Sequence, residues 1–327
     1  MKNDESNVLE VNNISKWFEQ RSSMFNIKSK KWVKSVDKVS FKLAKGEVLG
    51  IIGESGCGKS TLGKVLINLE SPTNGDILIN GFSAAELIKK DKKSFKRNLQ
   101  MIFQNPFDTF PPGHTIGRLM IRPLEIHEIG SNYKERFELC KVTLEEAGLK
   151  PGEDFMNRYP HELSGGQLQR ISILRAMLLN PSFLVADEPV SMLDLSVRAD
   201  IINMLKKLTK ESDTAMIFIS HDIAAARYIS DKIAVMYLGR IVEMGNAEDL
   251  IQNPQHPYTQ ALISNCSSID ITENDEPIKI EGEPPTPVNP GPGCYFANRC
   301  FKATGKCHES YPEYVEKENE HIYSCFY

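Results

Sequence analysis

The sequence predicts an α/β protein whose core is a parallel sheet with helices on its faces. The runs "VLGIIG", "SFLVAD" and "TAMIFIS" are short and apolar, as buried strands are. A glycine-rich loop and the helical pattern "LGKVLINLE" follow the first run. Between the other two lies "LSVRADIINMLKKLTKES", which has the spacing of an amphipathic helix. This alternation of strands and helices is typical of a parallel sheet.

Other segments flank this core. The alternating stretch "SVDKVSFKLA" predicts a partly exposed strand that turns at Lys45-Gly46. Later, "KIAVMYLGRIVEMG" predicts a hairpin that turns at Gly239. The composition changes from about Pro254, and "EGEPPTPVNPGPG" contains too many prolines for regular structure, which indicates a linker. A group of cysteines follows it.

The composition is that of a soluble globular protein. The chain has 327 residues, of which 41% are hydrophobic and 25% charged, with a net charge of −4. A net charge of this sign does not favour a general polyanion binder, and we expect no nucleic-acid partner. The stretches "NIKSKKWVKS" and "IKKDKKSFKR" are basic; each is either a solvated face or a contact for an acidic membrane surface or partner.

The sequence also predicts where the protein resides. No apolar run approaches the roughly 18 residues that span a bilayer, and the N-terminus "MKNDESNVLE" lacks the apolar core of a signal peptide. We therefore expect the chain to stay inside the cell. Thiols are kept reduced there, so its seven cysteines are not expected to form structural disulfides.

The glycine-rich loop "GESGCGKS" fits the pattern G-x-x-x-x-G-K-[ST] after a strand and before a helix. Its glycines let backbone N–H groups point at phosphate oxygens, and the helix N-terminus adds positive potential. Lys59 is expected to reach the β- and γ-phosphates, and the Ser60 hydroxyl to bind Mg²⁺. Cys57 occupies a variable position and is assigned no chemistry. The predicted nucleotide-binding residues are Gly53, Ser55, Gly56, Cys57, Gly58, Lys59, Ser60 and Thr61.

A second motif is the acidic pair that ends "FLVADE". Asp187, at the strand end, can hold Mg²⁺ directly or through water. Glu188 is then placed to polarise the attacking water as a general base. Such a pair alone is more often a polar strand end, but downstream of a phosphate loop it predicts a catalytic carboxylate.

A third motif, "LSGGQLQR" (residues 163–170), resembles the signature of ATP-binding cassette (ABC) ATPases. Other stretches match that family in order. The resemblance implies that Gln104 in "MIFQNP" senses Mg²⁺ and the attacking water, and that His221 in "FISHD" contacts the γ-phosphate. "SMLD", which ends at Asp194, matches the loop that crosses to a second subunit. An aromatic residue ahead of the phosphate loop is expected to stack on adenine, either Phe18 or, as the alternative, Trp17.

The resemblance narrows to the oligopeptide/dipeptide importer branch. "QHPYTQAL" and "GEPPTPVNPGPGCYFANRC" are similar to the C-terminal extension of that branch. A basic insertion at residues 19–35 is similar to one in the second, F-type ATPase of the paired subunits. The departures remove no catalytic group: "TFPPGH" replaces a common loop, Leu168 stands where Arg or Lys is common, and Val190 stands where Thr is usual.

The resemblance implies a fold and a set of partners. It implies an ABC nucleotide-binding domain over residues 1–255, with a phosphate-loop parallel-sheet core, an antiparallel β subdomain and a helical subdomain at about 105–165. A small cysteine-rich extension would span 256–327. ATPase chains meet head to tail, so Ser164, Gly165, Gly166 and Gln167 would face the nucleotide of a second ATPase. Two membrane permease subunits and an external solute-binding protein would complete the complex, with this chain at the cytoplasmic face of the membrane.

The sequence leaves three alternative functional classes for this chain. The leading interpretation is the ATPase subunit of an ABC importer for di- or oligopeptides or similar solutes. A soluble ABC motor commonly carries two cassettes or a long coiled coil, whereas this chain has one cassette and no heptad run. An exporter ATPase is disfavoured by the C-terminus. The sequence does not specify the solute, because peptides, nickel chelates and oligosaccharides all use similar ATPases in this family.

The cysteines near the C-terminus, Cys294, Cys300, Cys307 and Cys325, are spaced C-x5-C-x6-C-x17-C. Four thiolates can hold Zn²⁺ or an iron–sulfur cluster, and structural zinc sites usually begin with a closer pair. The similar tail of the importer branch binds a 4Fe–4S cluster, which is therefore the expected cofactor beside ATP and Mg²⁺. Zinc and free or oxidised thiols are the alternatives. A tail with few aliphatic residues needs such a cross-link to fold.

Overall fold

The computed structural model describes residues 7–20, 30–266, 277–317 and 320–327. Its strands are β1 (Asn7–Gln20), β2 (Lys31–Ala44), β3 (Val48–Ile52), β4 (Asn74–Ile79), β5 (Phe82–Ser83), β6 (Leu99–Ile102), β7 (Phe183–Asp187), β8 (Ala215–Ile219), β9 (Lys232–Tyr237), β10 (Arg240–Asn246), β11 (Val315–Glu316) and β12 (Ile322–Tyr323). Its α-helices are α1 (Lys59–Leu66), α2 (Ala84–Lys90), α3 (Lys92–Asn98), α4 (Ile116–Ile126), α5 (Tyr133–Glu146), α6 (Gly152–Asn157), α7 (Gly165–Met177), α8 (Leu195–Glu211), α9 (Ile223–Ile229), α10 (Ala247–Gln252), α11 (Pro257–Ser264) and α12 (Gly305–Glu309).

The described residues form two compact units. The first unit takes its residues from Met1–Leu43, Val48–Ser83 and Ile217–Tyr327, and the second from Ala44–Glu47 and Ala84–Met216. The predicted buried strands are confirmed as β3, β7 and β8, in which every residue is buried. No helix within the described ranges combines the length and apolar character that crossing a bilayer requires.

The first unit contains an antiparallel sheet with the strand order β2-β1-β4-β5. In β1, Leu9 and Val11 are buried and pair with Ile79 and Ile77 of β4. The predicted strand before Lys45-Gly46 is confirmed, but β2 begins earlier than its alternating pattern indicated, at Lys31. The ends of the predicted insertion at 19–35 therefore belong to β1 and β2, while residues 21–29 lie outside the described part of the chain.

A second sheet of the first unit follows the order β11-β12-β10-β9-β3-β8. The strands β3 and β9 are parallel, with Ile51 opposite Ala234. The predicted hairpin of β9 and β10 is confirmed, and Gly239 has a φ of 85° at its turn. Only glycine adopts such a conformation readily, and a Cβ there would also lie 2.6 Å from the carbonyl oxygen of Lys34.

The second unit combines a pair of parallel strands with helices. The strands β6 and β7 pair in register, with Ile102 opposite Ala186. The helices α4 to α7 share an apolar core in which Leu168 is fully buried. An arginine or lysine at this position would bury its charge, so the departure from the family pattern fits the packing of this helix.

The proline-rich segment is not the free linker that its composition indicated. It lacks helices and lies in the first unit along β2, where Val288 forms an antiparallel bridge with Val33. The N–H of Lys34 donates to the carbonyl of Pro287, and that of Asn289 donates to the carbonyl of Trp32. Prolines leave carbonyl acceptors available, so the segment pairs without forming a regular ladder.

The C-terminal residues extend the second sheet of the first unit. The strand β12 pairs with β10, with Met244 opposite Ile322. Beside this edge the fully buried Glu243 accepts hydrogen bonds from the backbone N–H groups of Gln255 and His256, at 2.7 and 2.8 Å. The ring of His321 lies 2.7 Å from the same carboxylate. Hydrogen bonding of one buried carboxylate thus joins the tail to the segment before α11.

Candidate functional site

The phosphate loop lies between β3 and α1, as predicted, and its shape requires glycine at two positions. Gly53 has a φ of 150°, and a Cβ there would lie 2.2 Å from the carbonyl oxygen of Met236. Gly58 has a φ of 106°, and a Cβ there would lie 1.9 Å from the carbonyl oxygen of Ser35. The loop can therefore wrap closely against neighbouring backbone only without side chains at these positions.

Lys59 is tied to its own loop. Its side chain is almost completely buried, with 5% exposed, and its Nζ donates to the carbonyl oxygens of Gly53 and Glu54 at 2.7 and 2.9 Å. The ammonium group thus links the end of the loop to its beginning. A phosphate bound there would contact both the positive charge of Lys59 and the backbone N–H groups of the loop. The Cys57 thiol is buried beside it, and burial raises its pKa, which is consistent with no chemistry there.

In the second unit, the ends of two parallel strands place Gln104 and Glu188 together. Gln104 follows β6 and Glu188 follows β7, and the amide Nε2 of Gln104 donates to the carboxylate of Glu188 at 2.9 Å. Asp187, the last residue of β7, is buried. Glu188 has a φ of 47°, a conformation uncommon for residues other than glycine, and its carbonyl accepts from both the N–H and the hydroxyl of Ser191. These bonds fix the carboxylate at the strand end.

The signature motif forms the N-terminus of α7. The Ser164 hydroxyl accepts from the N–H of Gln167 at 3.3 Å, while the Gln167 side chain accepts from the N–H of Ser164 at 3.0 Å. This reciprocal pair is a capping box. A Cβ on Gly166 would lie 2.7 Å from a methyl carbon of Val197 in α8. Asp194 precedes the first residue of α8.

The remaining predicted nucleotide contacts belong to the first unit. His221 is exposed two residues after the end of β8, and the next residue, Asp222, accepts from the N–H of Ala225 to cap α9. Phe18 is 39% exposed on β1, with the ammonium of Lys16 at 4.9 Å from its ring centre. Trp17 has Lys34 at 4.8 Å from its ring. Which aromatic ring stacks on adenine stays a prediction.

The cysteine spacing predicted a shared site, and the four thiols do face one cavity. Cys294, Cys300, Cys307 and Cys325 line it together with apolar groups that include Phe296. Burial, and then the three neighbouring thiols, raise the pKa of Cys294 to about 11. No group of three or more His, Cys, Asp or Glu side chains within the described residues has an arrangement that could hold a metal ion. The structure thus places the four cysteines around one cavity and, in the part of the chain that it describes, gives no indication of a metal site there.

Cys140 and Cys266 lie outside this cavity, as expected. Cys140 is buried in the helical core of the second unit, and burial raises its pKa to about 12. Cys266 is partly buried after α11. Cys140 therefore lacks the exposed, electropositive surroundings of a reactive cysteine.

Sequence reasoning missed the residues that bind the phosphate loop from outside. Glu54 occupies a variable position of the loop pattern, yet its carboxylate is held by both terminal nitrogens of Arg299 and its N–H donates to the hydroxyl of Tyr258. One signal was available. A carboxylate in a loop that binds a polyanion requires a compensating cation, but the sequence does not identify which one.

Comparisons with known proteins agree with the motifs. A family model described as ABC transporter matches residues 36–191, and one described as Oligopeptide/dipeptide transporter, C-terminal region matches residues 242–307. The putative oligopeptide transport ATP-binding protein YkfD of Bacillus subtilis (strain 168) is 45% identical over 303 residues, which cover 92% of each chain. The oligopeptide transport ATP-binding protein AppF of the same organism is 44% identical over 328 residues, covering 98% of each chain.

A solved structure supports the same assignment. The dimeric ATP-binding cassette MJ0796, in a post-hydrolysis state bound to ADP and Pi, superposes with a TM-score of 0.64 at 27% identity, covering 73% of this chain and 98% of that one. The relatives above share more than 40% of their residues with this chain over almost their whole length, so the similarity goes well beyond a common fold. The chain therefore belongs to the ABC transporter family, as an ATPase of its oligopeptide/dipeptide transport branch.

Proposed function

We propose that this chain hydrolyses ATP to drive the uptake of di- or oligopeptides, or similar solutes, through partner membrane subunits. The observation that carries the proposal is the match of residues 242–307 to a region described for oligopeptide/dipeptide transporters, in a chain with an ABC match at 36–191. The bonded pair of Gln104 and Glu188 supplies the chemistry such an ATPase needs.

The proposed roles follow the chemistry of the side chains. Backbone N–H groups of residues 53–61 and the Lys59 ammonium bind the triphosphate. The Ser60 hydroxyl, Asp187 and Gln104 would hold Mg²⁺, which offsets charge on the phosphates when bound. Glu188 accepts a proton from the attacking water, and Gln104 orients both that water and the carboxylate. His221 is assigned to the γ-phosphate, and Phe18 to adenine with Trp17 as alternative.

Ser164, Gly165, Gly166 and Gln167 are assigned to the nucleotide of a second ATPase subunit. The capping box leaves the first N–H groups of the 13-residue helix α7 directed out of the helix end, as binding of a γ-phosphate requires. Asp194 lies in the loop assigned to subunit contact. The cassette MJ0796 is dimeric in its solved structure, which supports a dimer here, and the likeness to AppF supports an F-type ATPase.

The proposed organisation assigns residues 1–255 to the nucleotide-binding domain and 256–327 to the extension. The apolar core shared by α4 to α7 supports a helical subdomain at about 105–165. We place the chain at the cytoplasmic face of the membrane as a peripheral subunit. Its partners are two permease subunits, a second ATPase and, through the complex, an external solute-binding protein, with no nucleic acid.

A 4Fe–4S cluster is the cofactor that we propose for the cysteine cavity. A single Zn²⁺ would bring four sulfurs to about 2.3 Å from one point, whereas a cluster assigns each thiolate to a different iron and spaces the thiolates more widely. The four cysteines line one cavity, which supports a shared site, and their sequence spacing lacks the close pair with which structural zinc sites usually begin. Cys294, Cys300, Cys307 and Cys325 would hold it, with a structural role.

Co-purification tests the transport function. The tagged chain, co-expressed with permease subunits and a second ATPase of a peptide importer, should copurify with integral membrane subunits. In proteoliposomes, solute-binding protein loaded with a peptide should raise ATP turnover, while the unloaded protein should raise it less. Turnover strictly linear in the concentration of the isolated chain would contradict the shared site. Copurification with ribosomes instead of membrane subunits would favour the soluble motor, and peptide efflux would favour the exporter.

A further inference from the structure

Glu54 of the phosphate loop is bound on two sides by residues that the nucleotide motifs do not include. Its carboxylate oxygens accept from Nη1 and Nη2 of Arg299 at 2.7 and 2.9 Å, a two-pronged pairing. Its N–H donates to the hydroxyl of Tyr258 at 2.9 Å. Both the side chain and the backbone of the residue after Gly53 are thus fixed from outside the loop.

The guanidinium of Arg299 is itself held in place. Only 8% of its side chain is exposed, against 25% for Glu54. Its Nε donates to the carbonyl of Glu281 at 3.2 Å and its Nη2 to the carbonyl of Gly282 at 2.8 Å. Its Nη1 also lies 3.4 Å from the hydroxyl of Tyr237. A largely buried, multiply bonded guanidinium keeps its orientation, unlike one in an exposed ion pair.

Packed aromatic rings connect the same segment to the loop. The ring centres of Tyr237 and Tyr258 lie 4.7 Å apart, and Phe296 lies 5.2 Å from each of them. All three side chains are fully buried. Since Tyr258 accepts from the loop N–H and Phe296 lies three residues before Arg299, the aromatic cluster and the ion pair act on one short part of the chain.

That part of the chain also carries two of the cavity thiols. Arg299 ends a single 3₁₀ turn, Ala297–Arg299, which lies between Cys294 and Cys300. The N–H of Ala297 donates to the carbonyl of Cys294 at 3.1 Å, and that of Cys300 to the carbonyl of Ala297 at 3.4 Å. The position of the guanidinium is therefore fixed by the same turn whose ends face the cavity.

We propose that Arg299 is a positioning residue for the phosphate loop: it neutralises and holds Glu54, so that the loop keeps the conformation that binds phosphate. An unpaired carboxylate in this loop would repel the polyanion, and the Glu54 side chain would no longer be tied to residues outside the loop. The turn at 297–299 joins Arg299 to the cysteine cavity, so a ligand that orders the cavity would also hold Arg299 and, through it, the phosphate loop. That last step rests on the proposed cluster; the Arg299–Glu54 contact does not.

A double-mutant cycle on the full chain tests the proposal, with fluorescent ADP as the probe. Arg299→Ala should weaken ADP binding about tenfold, because it leaves Glu54 charged and unpaired. In the Glu54→Ala background the same change should alter affinity less than about twofold. Arg299→Lys, which keeps the positive charge but loses the two-pronged hydrogen bonding, should give an intermediate loss of ADP affinity. If Arg299→Ala does not fold, Arg299→Lys and Arg299→Gln serve in the cycle.

The matched control is Lys302→Ala. Lys302 lies two residues after Cys300, and its ammonium donates to the side-chain oxygen of Gln260 in α11 rather than to the loop. It should bind ADP as the wild type does. Hydrogen exchange should accelerate in peptides covering residues 53–59 of Arg299→Ala and stay unchanged in those covering β10, which a general loss of stability would not produce. Unchanged ADP affinity in Arg299→Ala, additive effects in the double mutant, or uniformly faster exchange would overturn the proposal.

Cys300→Ser, in anaerobically purified protein, tests separately whether the positioning of the phosphate loop depends on the cluster. It should weaken ADP binding in the wild-type background and have little further effect in Arg299→Ala. Wild-type protein without iron would refute the cluster, and the Arg299–Glu54 cycle would still decide the positioning role. Wild-type protein that binds no ADP would instead refute the proposed nucleotide function and the positioning role with it.

Discussion

The amide of Gln104 donates a hydrogen bond to the carboxylate of Glu188 over 2.9 Å. The contact follows from the sheet. Ile102 and Ala186 are opposite one another in parallel strands, so the residues just beyond them emerge at the same edge. A donor amide on one oxygen of Glu188 fixes the direction in which the other oxygen can accept a proton.

Glu188→Gln should keep ATP binding and reduce turnover by about 10²- to 10⁴-fold, the usual contribution of a general base. The glutamine is isosteric and its side-chain oxygen can still accept from Gln104, so the substitution removes basicity more than geometry. Single-turnover hydrolysis beside an ATP-binding titration separates the two effects. The closed ATP-bound dimer should accumulate. Near-normal hydrolysis in the reconstituted complex would remove Glu188 from this role.

Lys59→Ala should weaken nucleotide binding itself, because it deletes the buried ammonium and its bonds to the carbonyls of Gly53 and Glu54. The measurement is an ADP and ATP titration of the purified variant. Lys64→Ala, which removes an exposed charge in the last turn of α1, is the control and should bind normally. Equal affinity in both variants would show that the loop does not bind phosphate as proposed.

The cysteine cavity predicts a coloured protein. Chain purified without oxygen should be brown and carry about four irons and four sulfides. Cys300→Ser should lose the visible absorption, while Cys266→Ser, outside the cavity, should keep it. Treating the wild type with an iron chelator should reproduce the Cys300→Ser spectrum. Stoichiometric zinc without iron would contradict the cluster and leave the ATPase function unaffected.

We expect the contact between Asp37 and Tyr295 of the C-terminal segment to depend on pH. Burial alone would raise the pKa of this carboxyl, but hydrogen bonds from Arg240 and Tyr295, at 2.8 Å each to Oδ2, hold it below its usual value of 3.8. A lowered folded-state pKa contributes stability above that usual value, which is lost as the pH falls through the folded pKa. Asp37→Asn should therefore cost on the order of 3 kcal/mol of unfolding free energy at pH 7.

Urea unfolding at several pH values measures this effect. The difference between wild type and Asp37→Asn should shrink as the pH falls below about 4, because the unfolded wild type then binds a proton that the folded carboxylate, with its lowered pKa, binds only at lower pH. Asp213→Asn removes an exposed carboxylate that pairs with Lys45, and it should change stability little at any pH. A difference between wild type and Asp37→Asn that stays constant down to pH 2 would contradict the lowered pKa.

The sequence by itself determined the features that short segments encode. The phosphate loop, the hairpin at Gly239 and the capping box of Ser164 and Gln167 each depend on neighbouring residues and on backbone conformations that few residue types allow. Buried strands such as β7 were predicted because their apolar runs leave no polar face. The order of the motifs then indicated the family.

Tertiary structure alone decided how the C-terminal residues are used. The composition of the proline-rich segment indicated a linker, yet its Pro287 carbonyl accepts from the N–H of Lys34 in β2 and its Asn289 N–H donates to the carbonyl of Trp32. Arg299 and Glu54 are separated by 245 positions in the chain, and Asp37 and Tyr295 by 258. Such pairs leave no periodic pattern, because they form only where the folded chain brings distant backbone together and excludes water from the charges. For that reason the sequence indicated a nucleotide site and a thiol cavity, and the folded chain supplied the contact between the phosphate loop and the tail.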